Sequence, residues 1–205
     1  AGLDAGESFN ILVYNEAVDA FSGRPVIKND ANLAAAHRYL EGVLPRGGTN
    51  IHDALFEALS QPPTKDRLPI VLFLTDGRPT ISITDEKSIR DMALATNRYH
   101  KRIFTFGVGF DVNSPLLEHL AYATRGAATF VLPGEDIERK VEQVFRRLVG
   151  PVLAEPQLTF LDGDGHPAVG RTRELIPGRL PDLFEGDQLV LLGQPERVLQ
   201  RHRVE

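Results

Sequence analysis

The chain has 205 residues with 42% apolar side chains, which is enough for one domain, or for one domain and part of a second. It has no cysteine, which excludes disulfides, thiolate metal sites and a cysteine nucleophile, and its net charge of -5 argues against a nucleic-acid binder. No apolar run approaches the ~20 residues of a membrane-spanning helix, and the first residues lack the basic start and apolar stretch of a signal peptide.

Two short strands and a helix are predicted first. Residues 9–15 (FNILVYN) form an apolar run with β-branched and aromatic members, which is typical of a strand. Residues 17–21 alternate apolar and polar, which predicts an edge strand paired with the first through a tight turn at residues 15–16. Residues 31–44 are rich in helix formers, and we expect Asp30 to be their N-cap.

A second helix and a buried strand follow. Two glycines at residues 47–48 separate the first helix from the next, and Asn50 can cap the next helix. The predicted apolar face of that helix consists of Ile51, Leu55, Phe56 and Leu59. Residues 69–75 (PIVLFLT) are apolar throughout, which is typical of a strand covered on both faces in a parallel sheet.

The alternation of strands and helices then repeats. Residues 85–98, 114–124 and 136–148 are predicted helices, and residues 102–109 and 128–132 are predicted strands. The last helix has an apolar stripe of Ile137, Val141, Val144, Phe145 and Leu148. This pattern predicts an α/β fold over residues 1–150, with a doubly wound, mostly parallel sheet of the Rossmann type.

A change of character near residue 150 predicts a domain boundary. Residues 151–205 contain strand-like runs separated by turn residues, without a helix between them, and we expect a β-rich segment that is part of a following domain. The run LDGDG at residues 161–165 lacks the spacing and the closing glutamate of an EF-hand, so it predicts a hairpin turn.

Two oxygen-bearing side chains stand at junctions of the predicted sheet. Asp76 follows the strand at residues 69–75, where ligands of open α/β sheets bind, although Asp-Gly is also a common turn. Thr49 precedes a helix for which Asn50 is the better cap, so its hydroxyl is free to point at the same crevice. A hydroxyl and a carboxylate suit Mg²⁺, Mn²⁺ or Ca²⁺, but two ligands are too few for any of these ions.

These residues resemble a von Willebrand factor type A domain. In that family a threonine in a Gly-rich loop and an aspartate after the fourth strand belong to a metal-ion-dependent adhesion site, and GGTN at Thr49 and FLTDG at Asp76 match those parts. Residues 176–194 (IPGRLPDLFEGDQLVLLGQ) are similar to the segment that follows the A domain in inter-alpha-trypsin inhibitor heavy chains and their bacterial relatives. In those proteins a VIT domain precedes the A domain, and no VIT segment is found in this sequence.

One departure from the family concerns the first strand, which ends in an Asp-x-Ser-x-Ser motif that supplies the other metal ligands. This sequence contains no such motif. The resemblance implies that the first strand and helix, about 30 residues by the usual size of such a unit, are missing. That strand is central in the family's sheet, so we expect the gap to be filled by another chain, a swapped copy or the C-terminal segment.

The resemblance implies a binding module and not an enzyme. The intact parent would hold a divalent ion, Mg²⁺ or alternatively Mn²⁺ or Ca²⁺, and an aspartate or glutamate of a partner protein would complete its coordination. The resemblance also implies a location outside the cytoplasm. A metal-independent scaffold or assembly domain, including a strand-swapped homo-oligomer, is the alternative. A metal-assisted hydrolase using Asp76 with His52 is less favoured, because no nucleophile–base–orienter set can be identified.

Overall fold

The computed structural model describes residues 6–44, 47–136, 139–140, 142, 144, 153–167, 172–178, 180–184 and 188–195. The chain divides into two compact units, Ala1–Gly150 and Pro151–Glu205. Most of the predicted last helix and the predicted boundary near residue 150 lie outside the described residues. Of the apolar stripe predicted for that helix, Val144 is described and is buried, whereas Ile137, Val141, Phe145 and Leu148 lie outside.

The first unit alternates strands and helices as predicted. Its described strands are β1 (Ser8–Phe9), β2 (Leu12–Tyr14), β3 (Val18–Ala20), β4 (Val26–Ile27), β5 (Ile70–Thr75), β6 (Arg102–Val108) and β7 (Ala128–Val131). Its described helices are α1 (Asp30–Glu41), α2 (Ile51–Ser60), α3 (Glu86–Thr96) and α4 (Ser114–Ala123). The predicted α/β class is confirmed.

A parallel sheet in the order β5-β6-β7 carries the core of this unit. β6 is its middle strand and is buried from Arg102 to Gly107, with β5 and β7 paired along its two edges and α4 packed against it. β5 was expected to be covered on both faces, and this is wrong at Leu74, whose side chain is 49% exposed. Phe73 and Thr75 face the opposite side and are buried, so the covering of β5 is incomplete on one face.

The main hydrophobic cluster lies between the sheet and helices α2, α3 and α4. It includes Leu55, Leu59, Ile89, Ile103 and Leu117, all at most 1% exposed. Phe56 was expected on the buried face of α2, but it is 49% exposed. It lies roughly 140° around the helix from Ile51 at 3.6 residues per turn, so the fourth buried position belongs to Ala54.

The N-terminal strands form an antiparallel hairpin that is separate from this sheet. β2 pairs with β3, as predicted, and β1 pairs with β4 further from the turn. Asn10 joins the two pairs: its side-chain amide donates to the carbonyl of Ser22 (2.7 Å), and its side-chain oxygen accepts from the Ser22 amide (3.1 Å). One polar side chain thus replaces the backbone ladder where the hairpin is interrupted.

Helix α1 begins one residue earlier than predicted. Asn29, in an extended backbone conformation, is the N-cap, and its side-chain oxygen accepts a 2.8 Å hydrogen bond from the amide of Asn32. Asp30, expected to be the cap, is instead the first helical residue. An aspartate there is also favourable, because the carboxylate lies near the positive end of the helix dipole.

The second unit is built from short antiparallel pairings. β8 (Thr172–Ile176) pairs with β9 (Leu192–Pro195), and isolated bridges join Leu153 to Leu183 and Leu161 to Pro167. The Asp162 carboxylate accepts hydrogen bonds from the amides of Asp164 (3.0 Å) and His166 (2.9 Å). The run LDGDG is therefore a hairpin turn, as predicted.

Among the residues that the structure describes, no helix combines the length and apolar character needed to cross a bilayer.

Candidate functional site

The structure brings Thr49 and Asp76 to the same end of the first unit. The amide of Thr49 donates to the Thr80 hydroxyl (2.8 Å), and its carbonyl accepts from the Thr80 amide (3.0 Å), so the loop after β5 is bound to the residue before α2. A Cβ built on Gly77 would lie 3.4 Å from the Thr49 hydroxyl oxygen. The Thr49 hydroxyl therefore lies against the residue that follows Asp76.

Asn50, and not Thr49, is the N-cap of α2. Its side-chain oxygen caps α2 by accepting from the amide of Asp53 (3.2 Å), as predicted. Its own amide donates to the Asn15 carbonyl (2.8 Å), and its side-chain nitrogen donates to the Glu16 carbonyl (3.2 Å). Because Asn50 performs the capping and also holds the hairpin turn, the hydroxyl of Thr49 has no capping task.

Asp76 is exposed at the carboxyl end of β5. The turn is closed by its neighbours, since the Thr75 hydroxyl donates to the Gly77 carbonyl (3.1 Å) and accepts from the Gly77 amide (3.4 Å). Within the described part of the chain, the Asp76 carboxylate has no hydrogen-bond or ion-pair partner. A carboxylate that the turn does not use is available to a ligand.

Asp53 is a neighbouring acid that the sequence reasoning did not single out. Its carboxylate accepts hydrogen bonds from the side chains of Asn50 (2.7 Å) and Ser82 (3.3 Å) and lies 2.7 Å from His52 Nδ1. These contacts, above all that with His52, lower the pKa of Asp53. The sequence signal was the His-Asp pair in the first turn of a helix. The contact of Asp53 with Ser82, however, depends on loop 77–82, which sequence alone does not position.

The described residues do not contain a complete ion-binding cluster. No group of three or more histidine, aspartate or glutamate side chains that could hold a metal ion is found among them. The donor set at this edge is one hydroxyl and one carboxylate, which fits a hard cation in kind but falls short of six ligands.

Two neighbouring strands have open edges. Within the described residues β5 pairs only with β6, and β2 pairs only with β3. The Pro69 carbonyl accepts from the Arg102 amide (3.0 Å), so in this parallel ladder the odd-numbered residues of β5 bond to β6. The backbone groups of Ile70, Leu72 and Leu74 therefore point away from β6.

The facing edge of β2 follows from the same reasoning. The Phe21 amide donates to the Ile11 carbonyl (2.8 Å) and the Asn15 amide to the Ala17 carbonyl (3.1 Å). In an antiparallel pair such bonds alternate along the strand, so the backbone groups of Leu12 and Tyr14 point away from β3. We call the space between these residues and the free edge of β5 the slot.

Tyr14 bridges the slot. Its hydroxyl donates a 2.7 Å hydrogen bond to the Leu74 carbonyl, and its ring stacks on Phe73 with centroids 5.5 Å apart. Burial raises the pKa of Tyr14 to about 12, a hydrogen bond with Thr75 opposes the rise, and the charge of Asp76 adds to it. The hairpin and the sheet thus meet through a side chain and not through a backbone ladder.

The family is decided by the match of residues 1–130 to the model of the von Willebrand factor type A domain. The chain belongs to this family. The predicted resemblance is confirmed, and the metal-site residues Thr49 and Asp76 of this type A domain stay predictions.

The relatives of this type A domain include inter-alpha-trypsin inhibitor heavy chains. Human heavy chains H6 and H4 are 27% and 26% identical to it, over 94% of this chain in each case. The type A domain and its following segment span only 15% and 21% of the lengths of those two proteins. The predicted similarity to this group of proteins therefore extends through the second unit.

Solved structures confirm the fold. A von Willebrand factor type A protein from Catenulispora acidiphila is 18% identical, with a TM-score of 0.59 over 75% of this chain and 36% of that one. Proximal thread matrix protein 1 from the mussel byssus, with zinc in its MIDAS motif, is 16% identical, with a TM-score of 0.54 over 71% and 37%. At such identities the likeness shows the fold alone.

Proposed function

We propose that this type A domain is a protein–protein interaction module and not an enzyme, with a divalent-metal site at the carboxyl edge of β5. Thr49 and Asp76 would hold Mg²⁺, or alternatively Mn²⁺ or Ca²⁺, in an intact parent. A partner protein would complete the coordination with an aspartate or glutamate. The observation that carries the proposal is the Thr49 hydroxyl against Gly77, beside the Asp76 carboxylate, which has no hydrogen-bond or ion-pair partner among the residues that the structure describes.

The donor chemistry supports a hard cation and also limits the affinity. Hydroxyl and carboxylate oxygens are the ligands that Mg²⁺ and Ca²⁺ prefer, and the bound ion would supply positive charge for a partner carboxylate. Asp53 is a poor third metal ligand, because its carboxylate already contacts Asn50, His52 and Ser82. With two protein oxygens, hydration of the ion wins, so this chain alone should bind metal weakly or not at all.

The relatives support this direction. The mussel protein carries zinc in its MIDAS motif, which favours divalent metal binding within the same fold. The similarity to inter-alpha-trypsin inhibitor heavy chains favours a place outside the cytoplasm, secreted or on the cell surface. The acidic net charge of -5 supports a protein partner over a nucleic acid.

A metal-independent scaffold or assembly domain is the second candidate. It is favoured by the incomplete donor set among the described residues, and by the open edges of β2 and β5, through which a further chain or a swapped copy could join. A metal-assisted hydrolase using Asp76 with His52 has the least support, because no nucleophile–base–orienter set can be identified in the sequence.

Calorimetry with Mg²⁺ and Mn²⁺ tests the metal proposal. We expect weak or undetectable binding to this chain, and measurable binding to a form that also carries an Asp-x-Ser-x-Ser strand. In that longer form Asp76→Ala should weaken both metal and partner binding, whereas Asp111→Ala, on the neighbouring loop and paired with Arg78, should not. Tight binding to this chain that survives Asp76→Ala would contradict the assignment and favour another site.

A further inference from the structure

The chain contains three Asp-Gly pairs, and each has the atoms for a spontaneous rearrangement of the backbone. They are Asp76–Gly77 after β5, and Asp162–Gly163 and Asp164–Gly165 in the hairpin turn of the second unit. In such a pair the glycine nitrogen can attack the aspartate side chain, because glycine has no Cβ and its backbone rotates freely. The attack needs an aspartate carboxylate and a glycine amide that are not held by hydrogen bonds.

In the second unit each Asp-Gly pair has one reacting group that is held. The Asp162 carboxylate accepts hydrogen bonds from the amides of Asp164 (3.0 Å) and His166 (2.9 Å) and must lose them before it can react. At Asp164 the amide is held instead, since Gly165 donates to the Asp162 carbonyl (3.1 Å). The fold should therefore slow the rearrangement at both pairs.

At Asp76–Gly77 neither reacting group is held in this way. Asp76 is exposed, and its carboxylate has no hydrogen-bond or ion-pair partner in the part of the chain that the structure describes. The Gly77 amide donates only to the Thr75 hydroxyl, at 3.4 Å, which is longer than the ~2.7–3.2 Å of an ordinary hydrogen bond. Both residues lie between β5 and α3, so neither is fixed by a helix or a strand.

We propose that Asp76 isomerises to isoaspartate in the folded domain, whereas Asp162 and Asp164 are protected. In the first step the Gly77 nitrogen bonds to Asp76 Cγ, and one carboxylate oxygen leaves as water with the amide hydrogen and one proton from solvent. Water then adds to the main-chain carbonyl carbon of Asp76, whose bond to the Gly77 nitrogen breaks, and the proton returns to solvent. The mass of the chain is unchanged, and no oxidant, reductant or second substrate is consumed.

Isomerisation alters the edge of the sheet that holds Thr49. The main chain then runs through Cβ and Cγ of residue 76, which lengthens it by one carbon, and the free carboxylate stands directly on Cα. This carboxylate no longer occupies the position of the original side chain. A loss of metal binding would follow, and this consequence alone rests on the proposed function.

Peptide mapping of the full chain, in buffer with a chelator, tests the inference. The chain is incubated at physiological temperature and pH, folded or in guanidinium chloride, and isoaspartate is measured by chromatography with electron-transfer fragmentation, which distinguishes the isomers. Comparing each pair with itself removes the effect of its neighbours in sequence. Folding should leave the rate at Asp76 nearly unchanged and slow the reaction at Asp162 about thirtyfold, the equivalent of two ordinary hydrogen bonds of ~1 kcal/mol each.

Gly77→Ala tests whether the Gly77 nitrogen is the attacking atom. The added Cβ should slow isomerisation at Asp76 severalfold, because it hinders the approach of the nitrogen and restricts the backbone. The folded chain has room for it, since the nearest atom, the Thr49 hydroxyl oxygen, would lie 3.4 Å away. Gly163→Ala is the control, because nothing lies within 4 Å of a Cβ there, and it should leave the rate at Asp76 unchanged.

Two results would overturn the inference. If folding slows the reaction at Asp76 as strongly as at Asp162, the turn protects Asp76, and this comparison in the wild type needs no variant that folds. If Gly77→Ala forms isoaspartate at residue 76 as fast as the wild type, the Gly77 nitrogen does not control the reaction. Failure of the metal proposal in calorimetry would leave all these rates unchanged, so the two proposals fail separately.

Discussion

The ammonium group of Lys101 donates a 2.7 Å hydrogen bond to the carbonyl oxygen of Ala58, in the last turn of α2. In a continuing helix this carbonyl would accept from the amide of residue 62, but Pro62 has no amide hydrogen. Lys101, directly before β6, therefore supplies the missing donor from another part of the chain. The Lys101 side chain is buried where it makes this hydrogen bond, and the residue is 6% exposed.

The first prediction is that stability rises with pH above about 8 because of Lys101. Burial lowers the pKa of Lys101 from 10.5 to about 8, so between these values the unfolded chain binds a proton that the folded chain does not. The free energy of unfolding should therefore increase with pH over this window, by on the order of 2 kcal/mol. Urea unfolding at pH 7.5 and pH 10 measures the change.

Lys101→Met isolates this contribution from other groups that titrate. The rise between the two pH values should be smaller in this variant than in the wild type by the amount that Lys101 contributes. Lys87→Met, at an exposed lysine, should leave the rise intact. Equal pH dependence in wild type and Lys101→Met would show that Lys101 remains charged throughout.

The second prediction concerns Gly126, which precedes β7. A Cβ at this position would lie 1.9 Å from the carbonyl oxygen of Ile103, a backbone atom that cannot move aside. Gly126→Ala should therefore lower the free energy of unfolding by about 3 kcal/mol or more, as overpacking against a rigid element does. Thermal unfolding measures it, with Gly23→Ala as the control, because nothing lies within 4 Å of a Cβ there. Similar stabilities for the two variants would contradict the close approach.

The third prediction distinguishes two asparagine caps. Asn50 is 3% exposed and joins α2 to the hairpin turn as well as capping the helix. Asn50→Ala should cost about 2–3 kcal/mol, because it removes a cap and leaves buried polar groups without a partner. Asn29→Ala, at an exposed cap, should cost about 1 kcal/mol. Chemical denaturation compares the two, and equal losses would mean that Asn50 acts as a cap alone.

The fourth prediction is that Asp76 has no role in stability. Its carboxylate is exposed and without a hydrogen-bond or ion-pair partner in the described residues, so Asp76→Ala should change the free energy of unfolding by less than about 0.5 kcal/mol. A larger loss of stability in urea unfolding would indicate a structural role for this carboxylate and would weaken the proposal that it serves as a metal ligand.

The sequence predicted those features that depend on near neighbours. The strand at β5 and the cap at Asn50 are set by local sequence, and both were confirmed, whereas burial of β5 on both faces was not. Asp30 was mistaken for a cap because Asn29 and Asp30 are both good cap residues, and the choice is made by the backbone at Asn29. Phe56 was misplaced because its face of α2 is set by tertiary packing.

The candidate site was predicted only in part for a similar reason. Thr49 and Asp76 could be proposed as candidates because each stands at a recognisable junction of strand and helix. The environment of Asp53 and the bond between Tyr14 and Leu74 join residues that lie in different elements. Sequence periodicity and motif spacing do not predict such contacts, since they depend on the conformation of the loops in the folded chain.

The join between the hairpin and the parallel sheet also determines how the domain opens. The hairpin is tied to α2 and β5 by Asn10, by Asn50 and by Tyr14, and among the described strands no backbone ladder crosses the slot. We therefore expect residues 7–28 to open as a separate cooperative unit while β6 and its neighbours remain folded. Its amides should exchange through this partial opening, at a lower free energy than global unfolding, and Asn50→Ala should bring that opening closer to the native state.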